Sequence, residues 1–311
     1  MKQLLARAIV GAGILLSLCA GAQAAEDWKV ATEAGYAAFR ENRLADAEKN
    51  FKLGLALAEK EGAKAGVTNN IGNLGMVYRQ QGKQPQAREQ FARMLQIFEG
   101  TLGKDHPDVG NALTLLGETY LMEGKLEEAQ PRLERAVAVL SKADANYQRN
   151  LALALNSLGT LRAHQSRFAE ATEAFRRALD INMKVAPQDP AVAQGLNNLA
   201  TVEARAGRFA DAERDFKKAL EMQERAAGPN HPSVGNTLYS LGGVYSSLGR
   251  HAEAAEAFKR SLAIMEKAVG PDHPVVASIL EGYASALDAL KKKPEADAMR
   301  KRAKAIQDKR R

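Results

Sequence analysis

The 311-residue sequence predicts an all-α fold, a solenoid of about seven stacked helix-turn-helix repeats. Three observations carry this prediction. First, a small residue after a leucine recurs as Gly75, Gly117, Gly159, Ala200 and Gly242, at spacings of 42, 42, 41 and 42. Gly35 and Ala284 extend the row at either end. Second, the phrase "GPDHP" (270–274) returns as "GPNHP" (228–232), "GKDHP" (103–107) and, worn, "APQDP" (186–190), on the same period. Third, β-branched runs and Asn-Gly hairpin turns are missing. A fixed period in this range marks repeats that bury their apolar faces only by stacking.

The first 24 residues read differently. "MKQLLARAIVGAGILLSLCAGAQAAED" has a basic start (Lys2, Arg7), an apolar run from Ala8 to Leu18, and small residues at Ala22 and Ala24. This is the layout of a cleaved secretory signal, with the cut near Ala24 and an exported product, periplasmic or secreted. The run is short for a membrane span. Lipid attachment at Cys19 is the alternative to removal, although Leu18 departs from the small residue such signals carry. Cys19 is the only cysteine, so the cleaved chain forms no disulfide.

The solenoid is expected over 25–311, with repeats at 28–61, 68–102, 108–144, 150–185, 191–227, 233–269 and 275–305. Residues 193–222 illustrate one. Leu196, Leu199 and Ala200 follow the i, i+3, i+4 spacing of one helix face, and Gly207 ends the pattern. Ala212, Phe216, Ala219 and Leu220 open a second pattern, so the pair forms a helical hairpin. Every landmark has an alanine twelve residues on, from Ala47 to Ala296. Four further lies a large apolar residue, Phe51, Phe91, Leu133, Phe175, Phe216 or Phe258, with Phe216 placed to fill the gap toward the next repeat; the seventh copy has Arg300. In the connectors, Gly103, Gly228 and Gly270 are expected as left-handed caps. Pro107, Pro232 and Pro274 open the next helix, where proline sacrifices no hydrogen bond. His106, His231 and His273 fall at or beside the N-cap. One per repeat along an axis, they do not form the cluster of about four ligands that zinc requires.

These recurring residues resemble the tetratricopeptide repeat. The best copy supplies Leu241, Gly242, Tyr245, Gly249, Ala254 and Phe258. The period of 42, with extra length carrying "GPDHP", is similar to the long repeats of kinesin light chains. The resemblance covers roughly 28–305 and departs where Ala38, Arg162, Glu203 and Leu287 replace the aromatic. It implies a right-handed superhelix with a concave groove that binds a protein or an extended peptide.

The chain carries no phosphate loop, dinucleotide fingerprint or HExxH motif, so neither catalysis nor a cofactor or metal is expected. Carboxylates fall at spacings suited to i,i+4 pairs, with Glu213–Lys217 expected on a solvated face. The candidate site is the face of each first helix opposite its packed side. It comprises Asn69, Arg79, Asn111, Asn156, Thr160, His164, Asn197, Thr201, Arg205, Asn236 and Tyr239. Amides that both donate and accept suit an extended backbone. The competing reading is that Asn156 and Asn197 only bridge neighbouring repeats.

The net charge of +7 falls to +5 without Lys2 and Arg7. Residues 291–311 are strongly basic. They are read as a polar cap on the open end, with a membrane-surface adaptor as the alternative function. No aromatics are interleaved for base stacking, and no nucleic-acid partner is expected.

Overall fold

The computed structural model describes residues 27–309, so the expected signal segment lies outside the described residues. Fourteen α-helices and one 3₁₀ turn account for the described secondary structure, with no strand. The helices are α1 (Asp27–Arg40), α2 (Leu44–Glu61), α3 (Lys64–Gln80), α4 (Gln84–Leu102), α5 (Pro107–Met122), α6 (Leu126–Leu140) and α7 (Gln148–His164). They continue as α8 (Phe168–Val185), α9 (Pro190–Arg205), α10 (Phe209–Ala227), α11 (Pro232–Ser247), α12 (His251–Val269), α13 (Pro274–Ala289) and α14 (Lys293–Asp308). Odd and even helices pair as hairpins.

The chain divides after Ala143 into two compact units, where the sequence period alone counts a single row. The division falls where the connector lacks both glycine and proline: Asp144 caps the 3₁₀ turn Ala145–Tyr147 instead. The first unit holds three hairpins and the second four. Within the second, α9 touches α11 and α11 touches α13, so first helices line the inner side.

All seven hairpins turn in the same way. The N–H of Arg43, Lys83, Lys125, Arg167, Arg208, Arg250 or Lys292 donates to a carbonyl five residues back, at 2.8–2.9 Å. With the preceding residue at positive φ, this is the Schellman closure. Gly82, Gly124, Gly207 and Gly249 occupy that position in four copies, and Asn42, Ser166 and Lys291 in three. The accepting carbonyl belongs to the residue at the family's aromatic position, such as Tyr78 or Glu203. The backbone bond therefore survives when the side chain changes. Ser166 holds φ at 59° without glycine's freedom. Ser166→Gly is expected to raise stability by about 1 kcal/mol, read as a higher urea midpoint.

The connectors correct one expectation. Gly103, Gly228 and Gly270 sit at φ 88–89° and ψ 156–159°, rather than in the left-handed helical region. That backbone region is open essentially to glycine alone. The histidines are N-caps: Nδ1 of His106, His231 and His273 accepts from the N–H two residues on, at 3.2 Å. Asp189, in the worn copy, accepts from Ala191 N–H at 2.9 Å and does the same work.

Phe51, Phe91, Leu133, Phe175, Phe216 and Phe258 are all buried. A Cβ on Gly75 would stand 2.4 Å from the Phe91 ring, so the small landmark makes room for the aromatic. Phe216 reaches the next repeat, clustering with Leu241, Val244 and Tyr245.

Polar clasps join successive repeats. Glu48 accepts from Lys52 at 2.7 Å and, across the repeat boundary, from Gln81 at 3.0 Å and Lys83 at 3.2 Å. The Lys52 bond, helped by the other two, lowers its carboxyl to about 2. Glu213 stands at the same repeat position. It pairs with Lys217 and with Arg250 of the next repeat, both at 2.6 Å. Its side chain is only 16% exposed, so the expected solvated pair is instead an inter-repeat bridge.

The last helix ends the row. Ala255, Phe258, Leu262 and Met265 are buried in α12. Forty-two residues on stand Asp297, Arg300, Lys304 and Gln307, all exposed. Ala296, Ala303 and Ile306 still pack inward. Arg300 folds back onto Asp288, and Arg302 onto Glu266.

Candidate binding surface on the first helices

In the second unit, four predicted residues come together. Thr160 and His164 from α7, with Thr201 and Arg205 from α9, line a cavity of about 170 Å³ whose wall includes Phe175 and Asn198. A neighbouring cavity of about 320 Å³ also uses Thr201 and Arg205, and adds Ser240, Gly243 and Ser247 from α11. Thr201 and Arg205 thus stand on the shared wall of two cavities along the first helices.

The helical period explains the alignment: Thr201 and Arg205 lie one turn apart, as do Thr160 and His164. The threonine hydroxyls donate back along their own helices, Thr160 to Asn156 O at 3.0 Å and Thr201 to Asn197 O at 2.7 Å. Their oxygens still accept. The Arg205 guanidinium lies 5.1 Å from the Phe168 ring centroid. No ion pair with Arg205 is formed among the described residues. A cation held over an aromatic face keeps its charge available to a ligand.

Asn156 and Asn197 differ. The Asn156 side-chain oxygen is buried with no hydrogen-bond partner among the described residues. Asn197 Oδ1 lies 3.0 Å from the Thr237 hydroxyl of the next repeat, so it bridges repeats. That hydroxyl is also 2.8 Å from Gln223 Oε1 and 3.1 Å from Ser233 O. Asn236 and Tyr239 are exposed on α11 and line neither cavity. The Tyr239 ring rests on Phe258, with centroids 5.9 Å apart.

In the first unit the predicted residues are occupied with joining repeats or capping. Asn69 Oδ1 accepts from the Tyr36 hydroxyl of the preceding repeat at 2.6 Å. Arg79 pairs with Glu118 of the next at 2.8 Å. Asn111 donates to Asp108 at 3.3 Å, within its own helix.

Sequence reasoning missed Asn198, Ser240, Gly243 and Ser247. The signal was the doubled glycine of "LGGV": Gly242 abuts the Phe258 ring, whereas a Cβ on Gly243 would meet nothing within 4 Å. Among the described residues, no group of three or more His, Cys, Asp or Glu could hold a metal ion. No described helix is long and apolar enough to cross a membrane.

The comparisons bear on the repeat architecture. The family model described as tetratricopeptide repeat matches residues 64–142, 150–225, 191–267 and 248–309, pausing where the two units divide. A search of curated proteins finds no significant match. Among solved structures, BtubC (BKLC) from P. vanneervenii is similar at 22% identity and TM-score 0.61, covering 74% of this chain and 90% of that one. A putative kinesin light chain from Podosopora anserina with nearly identical TPR-like repeats is similar at 23% identity and TM-score 0.57, over 66% of this chain and 98% of that one. The apo quorum sensor NprR from B. thuringiensis shares the fold at 14% identity and TM-score 0.73, over 91% and 77%. Landmark spacing, Schellman-closed hairpins and a family match over most of the sequence converge: this chain belongs to the tetratricopeptide repeat family.

Proposed function

We propose that the protein is a non-catalytic interaction scaffold, acting outside the cytoplasm, whose second unit holds an extended peptide segment of a protein partner along its first helices. Repeat folds of this family serve protein–protein interaction, which gives the general role. The observation that carries the specific reading is the pair of adjoining cavities sharing Thr201 and Arg205. The strip offers hydroxyls, amides and one guanidinium without a matched carboxylate, which favours a segment bearing an acidic side chain at Arg205. A wall built on packed helices is formed before binding, so little ordering is needed. The surface-adaptor alternative rests on the basic end, but Arg300, Arg302 and Lys309 there are engaged with Asp288, Glu266 and Asp272.

A display library of random peptides selected on the purified protein tests this. Enriched sequences are expected to carry Asp or Glu, and Arg205→Ala to weaken them about tenfold with melting unchanged. Selected peptides without acidic residues, or indifferent to Arg205→Ala, would refute the assignment.

A further inference from the structure

We infer that the second unit carries another ligand site, at its edge, for a small neutral molecule with an apolar body and one carbonyl-type acceptor. A cavity of about 580 Å³ opens where α9 and α11 begin and α10 ends. It is larger than either cavity of the strip and lies within the range of small-molecule sites. Pro190, Ala193, Met222 and Ala227 give it an apolar lining.

Gln223 makes the cavity more than a crevice. Its side chain lines the cavity and is only 8% exposed. Its oxygen accepts from the Thr237 hydroxyl at 2.8 Å, while its Nε2, which is not fully buried, makes no hydrogen bond among the described residues. A donor that opens onto the cavity is free to bond an acceptor placed there. The repeat pattern sets it apart from most copies. The equivalent position holds Ala58, Phe98, Leu140 and Met265 in four repeats, and an amide in Asn182, Gln223 and, exposed at the end of the row, Gln307. In the sixth repeat Met265 lies against Gly235 and fills the space. Their counterparts in the fifth repeat, Gln223 and Ala193, leave it open.

The charges on the lining are already matched. Asp189 caps Ala191 N–H at 2.9 Å and pairs with Arg149 at 3.1 Å. Arg225 pairs with Glu221. His231 Nδ1 caps its own helix, and Gln194 donates to Asn198 at 2.9 Å. What is left open is neutral: the exposed Gln188 amide and, beside the apolar lining, the Gln223 donor. A carbonyl oxygen on an apolar body complements it, whereas a charged head meets no free counter-charge.

The test titrates the isotope-labelled chain with 2-octanone, octanoate and octylamine, following side-chain amide and backbone resonances by NMR. Saturable shifts at Gln223 and the edge residues with 2-octanone, stronger than with either charged compound, are expected. Gln223→Met, the residue of the sixth repeat, is expected to weaken 2-octanone about tenfold. Ala227→Leu, which narrows the cavity without touching the Thr237 bond, keeps the test decisive should Gln223→Met melt early. It too is expected to weaken 2-octanone, while Arg205→Ala leaves binding unchanged. No saturable shift with 2-octanone, equal binding by Gln223→Met and Ala227→Leu, or tighter binding of a charged compound would overturn the assignment.

Discussion

Phe91→Ala is expected to cost about 3–5 kcal/mol, a large share of the stability a folded domain typically has. The ring is fully buried among Ile71, Leu74, Val77, Ala87 and Leu116, and touches both its own hairpin and the next. Gly75 lies against the ring, with no side chain to swing into the space. The surroundings therefore collapse poorly, and the cavity term is close to its full value. Urea unfolding followed by far-UV circular dichroism measures the loss. Phe91→Leu, copying Leu133 of the third repeat, is expected to cost under about 1.5 kcal/mol. A loss below about 1 kcal/mol for Phe91→Ala would mean that the aromatic column does not hold the repeats together.

The second large effect runs the other way. Glu203 replaces the family's aromatic and is 1% exposed, with its Oε2 buried and unpartnered. Burial, then the Asp215 and Asp211 carboxylates, raise its carboxyl above the ordinary 4.5, against opposing pulls from Arg208 and Arg214. Below 4.5 the group is protonated in both folded and unfolded chains and costs no ionisation. As pH rises from there, the unfolded chain ionises first, so native stability falls until the folded carboxyl ionises as well. Glu203→Gln is expected to add about 1–2 kcal/mol at about pH 8 and almost nothing at about pH 4. Urea midpoints of both proteins at the two pH values decide it. Glu48 has the opposite sign: its lowered carboxyl stabilises above 4.5, and that contribution is lost as pH falls toward 2.

The repeats were legible because their signals are local and periodic. Gly75 against Phe91 and Pro107 after His106 each fix a backbone or packing event within one repeat length. Asp189 standing in for histidine was legible only as chemistry: both offer an acceptor at the same reach. The division after Ala143 left only a weak trace, since a connector without glycine and proline is marked as different while its new path stays unspecified. The site was half legible. Spacing placed Thr160, His164, Thr201 and Arg205 on one face, and the structure joins them around one cavity. Spacing could not tell which polar residues were already engaged, because Asn69 with Tyr36 and Arg79 with Glu118 are partners 33 and 39 residues apart.

Thr237 has one hydroxyl proton and three oxygens within reach, on Gln223, Asn197 and Ser233. At any instant two of the three go without it. A new donor brought to one of those oxygens releases the proton to the others. The edge of the unit and its inner wall thus compete for a single hydrogen inside a side chain that solvent scarcely reaches.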